Sequence, residues 1–495
     1  MARAGKRLRQ LAGLVGGVVA GSSDPLIEDV THDSRSVAPN SLFVAIRGAE
    51  TDGHDFADEA VASGAVAVCV DHGLSIGSPQ LIVADPRRAL GPLADAVHGS
   101  PSSAVKVIGV TGTNGKTTVT HHIESIATTA GLTPGLIGTI ETRVGGVGVP
   151  ATRTTPEASD FQRLLADMRD RGADLVAAEV SSHALHFGRV RATRFAVAAF
   201  TNLSQDHLDF HGDMASYRAT KTLLFTDYEV GTAVVNIDDP VGAEIAAGYR
   251  GEILTVGSDG HLTTEGIDSG KGSSRFTFDS PWGAAVIEAP VVGRFNVANL
   301  AMAAGCCLAT GIRFEDVVSG MGRVARVPGR FEVVSGDDPV TVIVDYAHTP
   351  ESVAEAVGAA RALGGRVIGL VGAGGDRDRA KRPAMGAAIS TADLAIVTSD
   401  NPRSEDPEAI VAAVASGLAH TTSHVVEADR RRAIELAISE AEPGDVVLIL
   451  GRGHEAEQEI AGERLPFDDR VVAAETLGWL RRSPDSDTRS GSMSP

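Results

Sequence analysis

Aromatic side chains are scarce in this chain of 495 residues, which holds 2 Trp, 4 Tyr and 14 Phe, 4% in all. Its cores must therefore be built from Ala, Val, Leu and Ile. Cysteine is almost absent. Cys69, Cys306 and Cys307 are too few to frame a disulfide scaffold, and the adjacent pair lacks metal-ligand spacing, so a reducing, cytoplasmic setting is expected. Long apolar runs are missing too: no stretch of 18 residues is both apolar throughout and free of charge, so no spanning helix is expected. Positive charge is in deficit, with 44 Lys+Arg against 64 Asp+Glu and a formal net charge of −20. Such a balance repels nucleic acid and anionic membranes, so no polyanion partner is expected.

What the chain does have is length for about three domains at roughly 150 residues each. Basic Arg3, Lys6, Arg7 and Arg9 precede the run Leu11 to Ala20 and imitate a secretory signal. Gly13, Gly16 and Gly17 weaken that run, and Leu8, Leu11, Leu14 and Val15 have the spacing of a helix in a folded domain. Further on, short β-branched strands alternate with Gly- or acid-rich turns and helical stretches, the pattern of an α/β protein with mainly parallel sheets. Gly99-Ser100-Pro101-Ser102-Ser103 and Val327-Pro328-Gly329 read as breaks, which predicts domains over 1–103, 104–328 and 329–482. The Ser/Asp/Pro-rich segment 483–495 reads as a disordered tail.

The most specific local signal begins at Val105. An apolar strand runs to Val110 and into Thr111-Gly112-Thr113-Asn114-Gly115-Lys116-Thr117-Thr118, followed by a helix with Val119, Ile123, Ile126, Ala127 and Ala130 on one face. Loop and first-turn N–H groups in this context point at a phosphate, Lys116 adds a full charge, and Thr117 offers a hydroxyl to Mg²⁺. The complete phosphate-loop pattern wants Gly where Val110 stands, so this is a shortened variant. The strand Leu175 to Glu179 ends in a carboxylate suited to a metal ion beside the phosphates. These features alone leave ATPase, GTPase, kinase and ligase open.

Three motifs together narrow the choice: Gly112 to Thr118, Glu179-Val180-Ser181-Ser182-His183, and Thr201-Asn202-Leu203-Ser204-Gln205-Asp206-His207-Leu208-Asp209. Over residues 26–480 the chain resembles the Mur ligases, ATP-dependent enzymes that add amino acids to the peptidoglycan precursor. The resemblance implies an N-terminal α/β uridine-nucleotide domain, a central ATPase-like domain with a parallel sheet, and a C-terminal Rossmann-like α/β domain. The strand Ala395 to Ser399 opens into Asp400-Asn401-Pro402-Arg403, a sequence that in the family marks the branch taking meso-diaminopimelate. That amino acid carries a distal carboxylate, which an Arg can clamp with two parallel hydrogen bonds, whereas Arg403 would repel the ε-ammonium of lysine.

The resemblance also implies site residues. Lys116, Glu179, His207 and Lys221 would be catalytic. Lys221, as N6-carboxylysine, would join Thr117, Glu179 and His207 in holding Mg²⁺, with two ions expected. Gly112 to Thr118, Asn299, Arg330 and Asp345 would bind ATP. Ser34, within Asp33-Ser34-Arg35, and the loop Ala49-Glu50-Thr51 match the uridine site, while Thr154, Thr155, Ser181 and Arg189 match contacts to the muramoyl dipeptide. Phe187 stands where some relatives carry Gln. Arg377, Asp400, Asn401, Pro402, Arg403, Gly451 and Glu455 would hold diaminopimelate. The implied reaction joins meso-diaminopimelate to the D-Glu γ-carboxylate of UDP-MurNAc-L-Ala-D-Glu through an acyl phosphate, in a monomer. The alternatives are a lysine-adding tripeptide synthetase or a folylpolyglutamate synthetase-type ligase. A regulatory GTPase is disfavoured by the absence of a guanine-reading Asn-Lys-x-Asp sequence.

Several look-alikes fall away. Gly451-Arg452-Gly453-His454-Glu455-Ala456 imitates a dinucleotide fingerprint, but Ile460 to Arg464 reads as a turn where a helix should run. His454-Glu455 lacks the second His of a zinc helix, since position 458 is Gln. His211 is read as structural, and His121 and His122 as packing or capping groups.

Overall fold

Three sheets, each drawn from its own stretch of chain, organise the computed structural model, which describes residues 5–48, 51–336 and 338–482, the last four of these by backbone alone. Arg3, the uridine-loop residues Ala49 and Glu50, and the segment 483–495 lie outside the described residues.

In the first unit the strand order is Val18–Ala20, Gln80–Ile82, Ala65–Val70, Ser41–Val44 and Asp29–Thr31, parallel except for the first pair. The central strands are short, aliphatic and buried, as sheets covered on both faces require. Helix Pro86–Val97 starts under an Asp85 cap with Pro86 in its first turn, and lays Leu90, Leu93, Ala94 and Val97 on the core. The signal-like segment is the helix Leu8–Val15, whose Leu8, Leu11 and Ala12 are buried in that core. Leu14 departs from the expected stripe and is 56% exposed. The helix ends at left-handed Gly16, and Leu8, Leu11, Ala12 and Val15 already cover the side that faces the sheet. The break at Gly99 to Ser103 is fixed in place: Pro101 and Ser102 are buried, and Ser102 Oγ accepts the Arg194 N–H at 3.1 Å.

The middle sheet has eight strands in the order Val147–Pro150, Glu141–Val144, Pro134–Ile137, Leu175–Glu179, Lys106–Thr111, Phe195–Phe200, Val230–Asn236 and Glu252–Val256. The last six are parallel. Helices Lys116–Thr129 and Arg294–Ala309 share one core with a three-stranded antiparallel sheet, Thr263–Ser269, Ser274–Ser280 and Gly283–Ala289. Arg294–Ala309 is apolar nearly all round, with Ala301, Ala303, Ala304, Cys306 and Cys307 buried, so it sits inside the unit rather than on its surface. His121 and His122 are packing groups: burial holds their imidazoles down to about 3 and about 4.

The last sheet runs Glu332–Val333, Thr341–Asp345, Val446–Leu450, Val367–Val371, Leu394–Val397 and Ser423–Val426, parallel apart from its first strand. Separate cores cover its two faces. Because the strands are parallel, the segments after Asp345, Val371, Val397 and Leu450 all emerge along one edge, where ligands of open α/β sheets bind. Arg430, fully buried and paired with Asp469, donates to the Ser399 and Leu450 carbonyls and ties two of these exits together. After Leu450 comes a hairpin, Glu457–Ile460 with Glu463–Pro466, turned by Ala461 and Gly462 at φ 51° and 82°. The Gly451 motif leads into this hairpin and not directly into a helix, so the dinucleotide look-alike lacks its helix N-terminus.

The first and middle units interlock. Arg163 reaches the Asp29 carboxylate at 3.2 Å and the Val30 carbonyl at 2.9 Å, and Arg169 donates to the His98 carbonyl at 2.9 Å. Among the described residues, no helix is long and apolar enough to cross a membrane.

Candidate active site

The strand Lys106–Thr111 delivers the chain into a glycine loop that ends as helix Lys116–Thr129 begins, so the first-turn N–H groups face the loop's concavity. Gly112 has φ 146°, and a Cβ there would stand 1.8 Å from Thr201 Oγ1, so only glycine fits. The neighbouring segment braces the loop: Thr201 Oγ1 donates to the Asn114 carbonyl at 2.6 Å, and Asn202 Oδ1 accepts the Asn114 N–H at 2.9 Å. Lys116 Nζ donates to the carbonyls of Gly112 and Thr113 at 3.0 and 2.8 Å. Burial lowers its pKa, opposed by the charges of Glu179 and Asp206.

A cavity of about 1010 Å³ opens over this loop and runs to the last unit. Thr113 to Thr118, Glu179, His207, Asn299, Arg330 and Asp345 line it, with the Asn299 amide set against Gly115. Arg330 lies with its guanidinium 4.2 Å from the centre of the Tyr346 ring and donates to Thr117 Oγ1 at 3.1 Å, bridging the two sheets. Asp345 accepts the Phe331 and Ala347 N–H groups at 2.6 and 2.8 Å; burial raises its pKa against the opposing pull of Arg330. Thr154 and Ser181 also line the cavity.

Beneath the loop sits Lys221, 1% exposed, donating to the Gly112 carbonyl at 2.7 Å. Burial, aided by repulsion from Lys116, pushes its pKa well below the usual lysine range. Glu179 is fully buried, accepting the Thr139 N–H at 2.7 Å and the Thr139 hydroxyl at 3.1 Å. Burial brings the His207 pKa down to about 3, which leaves a lone pair available to a cation. A carboxylate, a hydroxyl, an imidazole and a buried amine able to take up CO₂ make a mainly hard-oxygen donor set that suits Mg²⁺. Three His and Asp donors lie within 4.8 Å of one another at His54, Asp71 and His72 in the first unit. There His54 already accepts the Asp71 N–H and contacts Asp52 through Nδ1, as a structural histidine does.

The residues matched to the muramoyl dipeptide cluster beside Glu179. Thr155 is buried and donates to the Glu179 carbonyl at 2.8 Å, Ser181 caps the helix Ser182–His186, and Arg189 pairs with Glu157 at 2.9 Å. Phe187 lies under the guanidiniums of Arg87 and Arg189, at 5.1 and 5.7 Å, so this position stacks on cations and presents no amide. Ser34 sits apart, in the 3₁₀ turn Ser34–Ser36 of the first unit.

The third group gathers at the exits of the last sheet. Asn401 Nδ2 donates to Glu455 Oε2 at 2.6 Å, Asp400 lies against Gly451, and buried Pro402 places its carbonyl against Gly375, where a Cβ would stand 1.8 Å from that oxygen. Arg403, at φ 53°, donates Nη1 to the Gly375 carbonyl at 2.6 Å, which brings its guanidinium beside the Arg377 loop. Burial, with repulsion from Asp400, raises the Glu455 pKa. This group joins the cavity through Tyr346, whose hydroxyl donates to Glu455 Oε1 at 3.5 Å.

Sequence reasoning passed over Thr139, Tyr346, Asp206 and Lys381. The first two lie outside the motifs it used. Asp206 lies inside one, but its buried contact with Lys381, 175 positions away, exists only in three dimensions.

Known protein families match three stretches of this chain. Residues 26–98 match the Mur ligase family, catalytic domain; 110–307 match the Mur ligase middle domain; and 329–453 match the Mur ligase, glutamate ligase domain. A UDP-N-acetylmuramoyl-L-alanyl-D-glutamate–2,6-diaminopimelate ligase of Geobacillus thermodenitrificans is 46% identical over 477 residues, covering 94% of this chain and 97% of its own. The enzyme of that name from Streptomyces coelicolor is 42% identical, covering 93% and 94%. A solved structure bearing the same enzyme name superposes with a TM-score of 0.69 at 29% identity, over 97% of this chain and 100% of its own. MurF ligase of Thermotoga maritima, solved with ADP, shares the fold, with a TM-score of 0.66 at 19% identity over 92% and 96%. With all three sheets matched and relatives above 40% identity along nearly the whole length, the chain belongs to the Mur ligase family.

Proposed function

We propose that this protein is the ATP-dependent ligase that joins meso-diaminopimelate to the γ-carboxylate of D-glutamate in UDP-MurNAc-L-Ala-D-Glu. One observation carries the reading: the phosphate loop with Glu179 and His207 opens on the same cavity as Arg330 and Asp345, next to the Asp400–Arg403 and Glu455 cluster. The names of the relatives supply the substrates. The three sheets support units over 1–103, 104–328 and 329–482, carrying the uridine nucleotide, ATP and the amino acid respectively.

A carboxylate does not form an amide unaided, because its oxygen is a poor leaving group. In the proposed mechanism the D-Glu γ-carboxylate attacks the γ-phosphate of ATP, breaking the bond to ADP and forming an acyl phosphate. Both reactants are anions, so the work of the site is charge neutralisation. Lys116 and the helix N-terminus hold the phosphates, with Arg330 near Thr117. Mg²⁺, held by Thr117, Glu179, His207 and N6-carboxylated Lys221, supplies further neutralisation when bound. Thr154, Thr155, Ser181 and Arg189 hold the dipeptide. Arg377, Asp400, Asn401, Arg403 and Glu455 orient diaminopimelate, whose neutral amine attacks the acyl carbon, releases phosphate and loses a proton. A single chain supplies every residue, so a monomer suffices, and three free, buried thiols suit the cytoplasm.

The reading is tested by phosphate release with ATP, Mg²⁺, UDP-MurNAc-L-Ala-D-Glu and a panel of diaminopimelate, lysine and glutamate. Release is expected with meso-diaminopimelate; release with lysine or glutamate alone would overturn the substrate assignment.

Lys221 gives a separate expectation. A neutral buried amine adds CO₂ and loses one proton to become a carbamate. Carbon-13-labelled bicarbonate should give a carbamate NMR signal in the native protein that is absent from Lys221→Met. That variant should be inactive yet more stable by about 1–3 kcal/mol in CO₂-free buffer, since it removes a desolvated amine while the Gly112 carbonyl keeps Lys116. The sign in pH follows. The lowered folded pKa means that the unfolded chain binds the extra proton, so wild-type stability should rise with pH up to the normal lysine range, and this component should vanish in Lys221→Met. A labelled carbamate signal of equal size in both proteins would sink the assignment.

A further inference from the structure

Lys381 and Arg382 begin the helix Lys381–Ile389 of the last unit, and both are buried although charged. They serve opposite directions. Lys381 Nζ donates across the unit boundary to Asp206 Oδ1 at 3.1 Å, and Asp206 itself is 5% exposed. Arg382 turns back into its own unit, pairing with both oxygens of Glu405 at 3.1 and 2.9 Å and reaching the Gly374 carbonyl at 3.3 Å. Glu405 Oε1 in turn accepts the Asp376 N–H at 2.6 Å, and the Asp376 carboxylate accepts the Ser404 N–H at 3.1 Å. One helix start therefore grips the loop that carries Arg377 and the loop that carries Arg403.

On the other side, Asp206 ends a segment moulded to the phosphate loop. Besides the Thr201 and Asn202 contacts, the Ser204 N–H donates to Thr113 Oγ1 at 3.0 Å. Gln205 Nε2 donates to Asp378 Oδ2 at 3.3 Å, a second crossing beside the first, and Asp378 caps the turn leading to Lys381 through the Ala380 N–H. Hydrogen bonds joined by short stretches of backbone, Ser204 to Asp206 and Lys381 to Arg382, thus connect Thr113 and Asn114 to the two arginine loops. A charge buried at a unit boundary is costly unless paired, so this contact favours one docked arrangement over any in which the units separate.

We propose that Lys381, through Asp206, is a positioning residue that couples the phosphate loop to the amino-acid loops, so that nucleotide bound in the middle unit tightens amino-acid binding in the last. The proposal rests on the ligase reading above for the identity of the ligands. By linkage the coupling is reciprocal, and the amino acid tightens the nucleotide by the same factor.

The test is calorimetric titration of meso-diaminopimelate into the full chain, with Mg²⁺ and UDP-MurNAc-L-Ala-D-Glu present, with and without a non-hydrolysable ATP analogue. In the wild type the analogue should tighten amino-acid binding by about fivefold or more. In Lys381→Met that factor should fall to near one, with the analogue's own affinity within about twofold of wild type, and Lys381→Arg should recover most of it. Asp206→Asn, nearly isosteric, should abolish the coupling from the other side, and the double variant should lose nothing more. A merely structural role would lower both affinities and the melting temperature together without removing the factor. If Lys381→Met does not fold, Asp206→Asn alone decides. Wild-type coupling retained in either folded variant, or additive losses in the double variant, overturns the proposal. Should the wild type ligate a different amino acid, the ligase reading fails in its substrate, and the same titration with that amino acid still decides the coupling.

Discussion

Lys116→Ala should abolish ATP-dependent ligation while leaving the protein folded. The amine donates to two loop carbonyls, and Gly112 retains its bond from Lys221 when Lys116 is gone, so the loop keeps much of its bracing. What disappears is a positive charge fixed where the γ-phosphate is proposed to transfer. Removing a single preorganised neutral donor from such a site costs about 10²–10³ in kcat. A desolvated cation facing a multiply charged anion should cost more, and the coupled phosphate-release assay should read background. Lys116 is half-buried, and its loss removes the bond to the Thr113 carbonyl, so Tm should change little. Turnover within tenfold of wild type in a folded variant would refute the phosphate role.

Arg403→Ala should act on the amino acid alone. Its guanidinium is tied by Nη1 to the Gly375 carbonyl, which aims it while leaving other N–H groups for a ligand carboxylate. Losing a charge-assisted pair of ~1.5–3 kcal/mol implies a KM for meso-diaminopimelate raised by roughly 10–150-fold, with the KM for ATP moving less than about threefold. The discrimination against lysine should narrow as well, because its ammonium no longer meets a fixed positive charge. Steady-state kinetics with both amino acids measures this, and unchanged diaminopimelate kinetics would sink the clamp. The backbone at φ 53° limits the substitutions worth making: Ala keeps the left-handed strain that Arg already bears, whereas a β-branched residue would add to it.

The phosphate loop was legible in the sequence because its requirements are local. An aliphatic strand, Gly112, Gly115, Lys116 and a helix occupy one continuous stretch, and so do Asp400 to Arg403. Leu14 shows the limit of periodicity: its spacing fitted an apolar stripe, but a helix of eight residues uses only the side that meets the sheet. Thr139 was invisible because its value lies in bonding Glu179, 40 residues away. Lys381 and Arg382 lie outside every motif the sequence displays, and only the approach of Asp206 and Glu405 makes them interior ion-paired groups. A net charge of −20 likewise said nothing about small anions, since Lys116, Arg330 and Arg403 supply positive charge where the ligands are proposed to meet.

Gly112 and Gly375 stand on opposite sides of the proposed reaction, one against Thr201 and the other against the Pro402 carbonyl, each with a would-be Cβ at 1.8 Å. Any single-codon change at either position adds at least a methyl group, and the atoms in its path belong to loops that themselves position candidate ligand contacts. Both glycines are buried, so a substitution at either acts from inside the protein, by displacing the Thr201 segment or the Pro402 loop, and leaves every side chain that lines the cavity unchanged in identity.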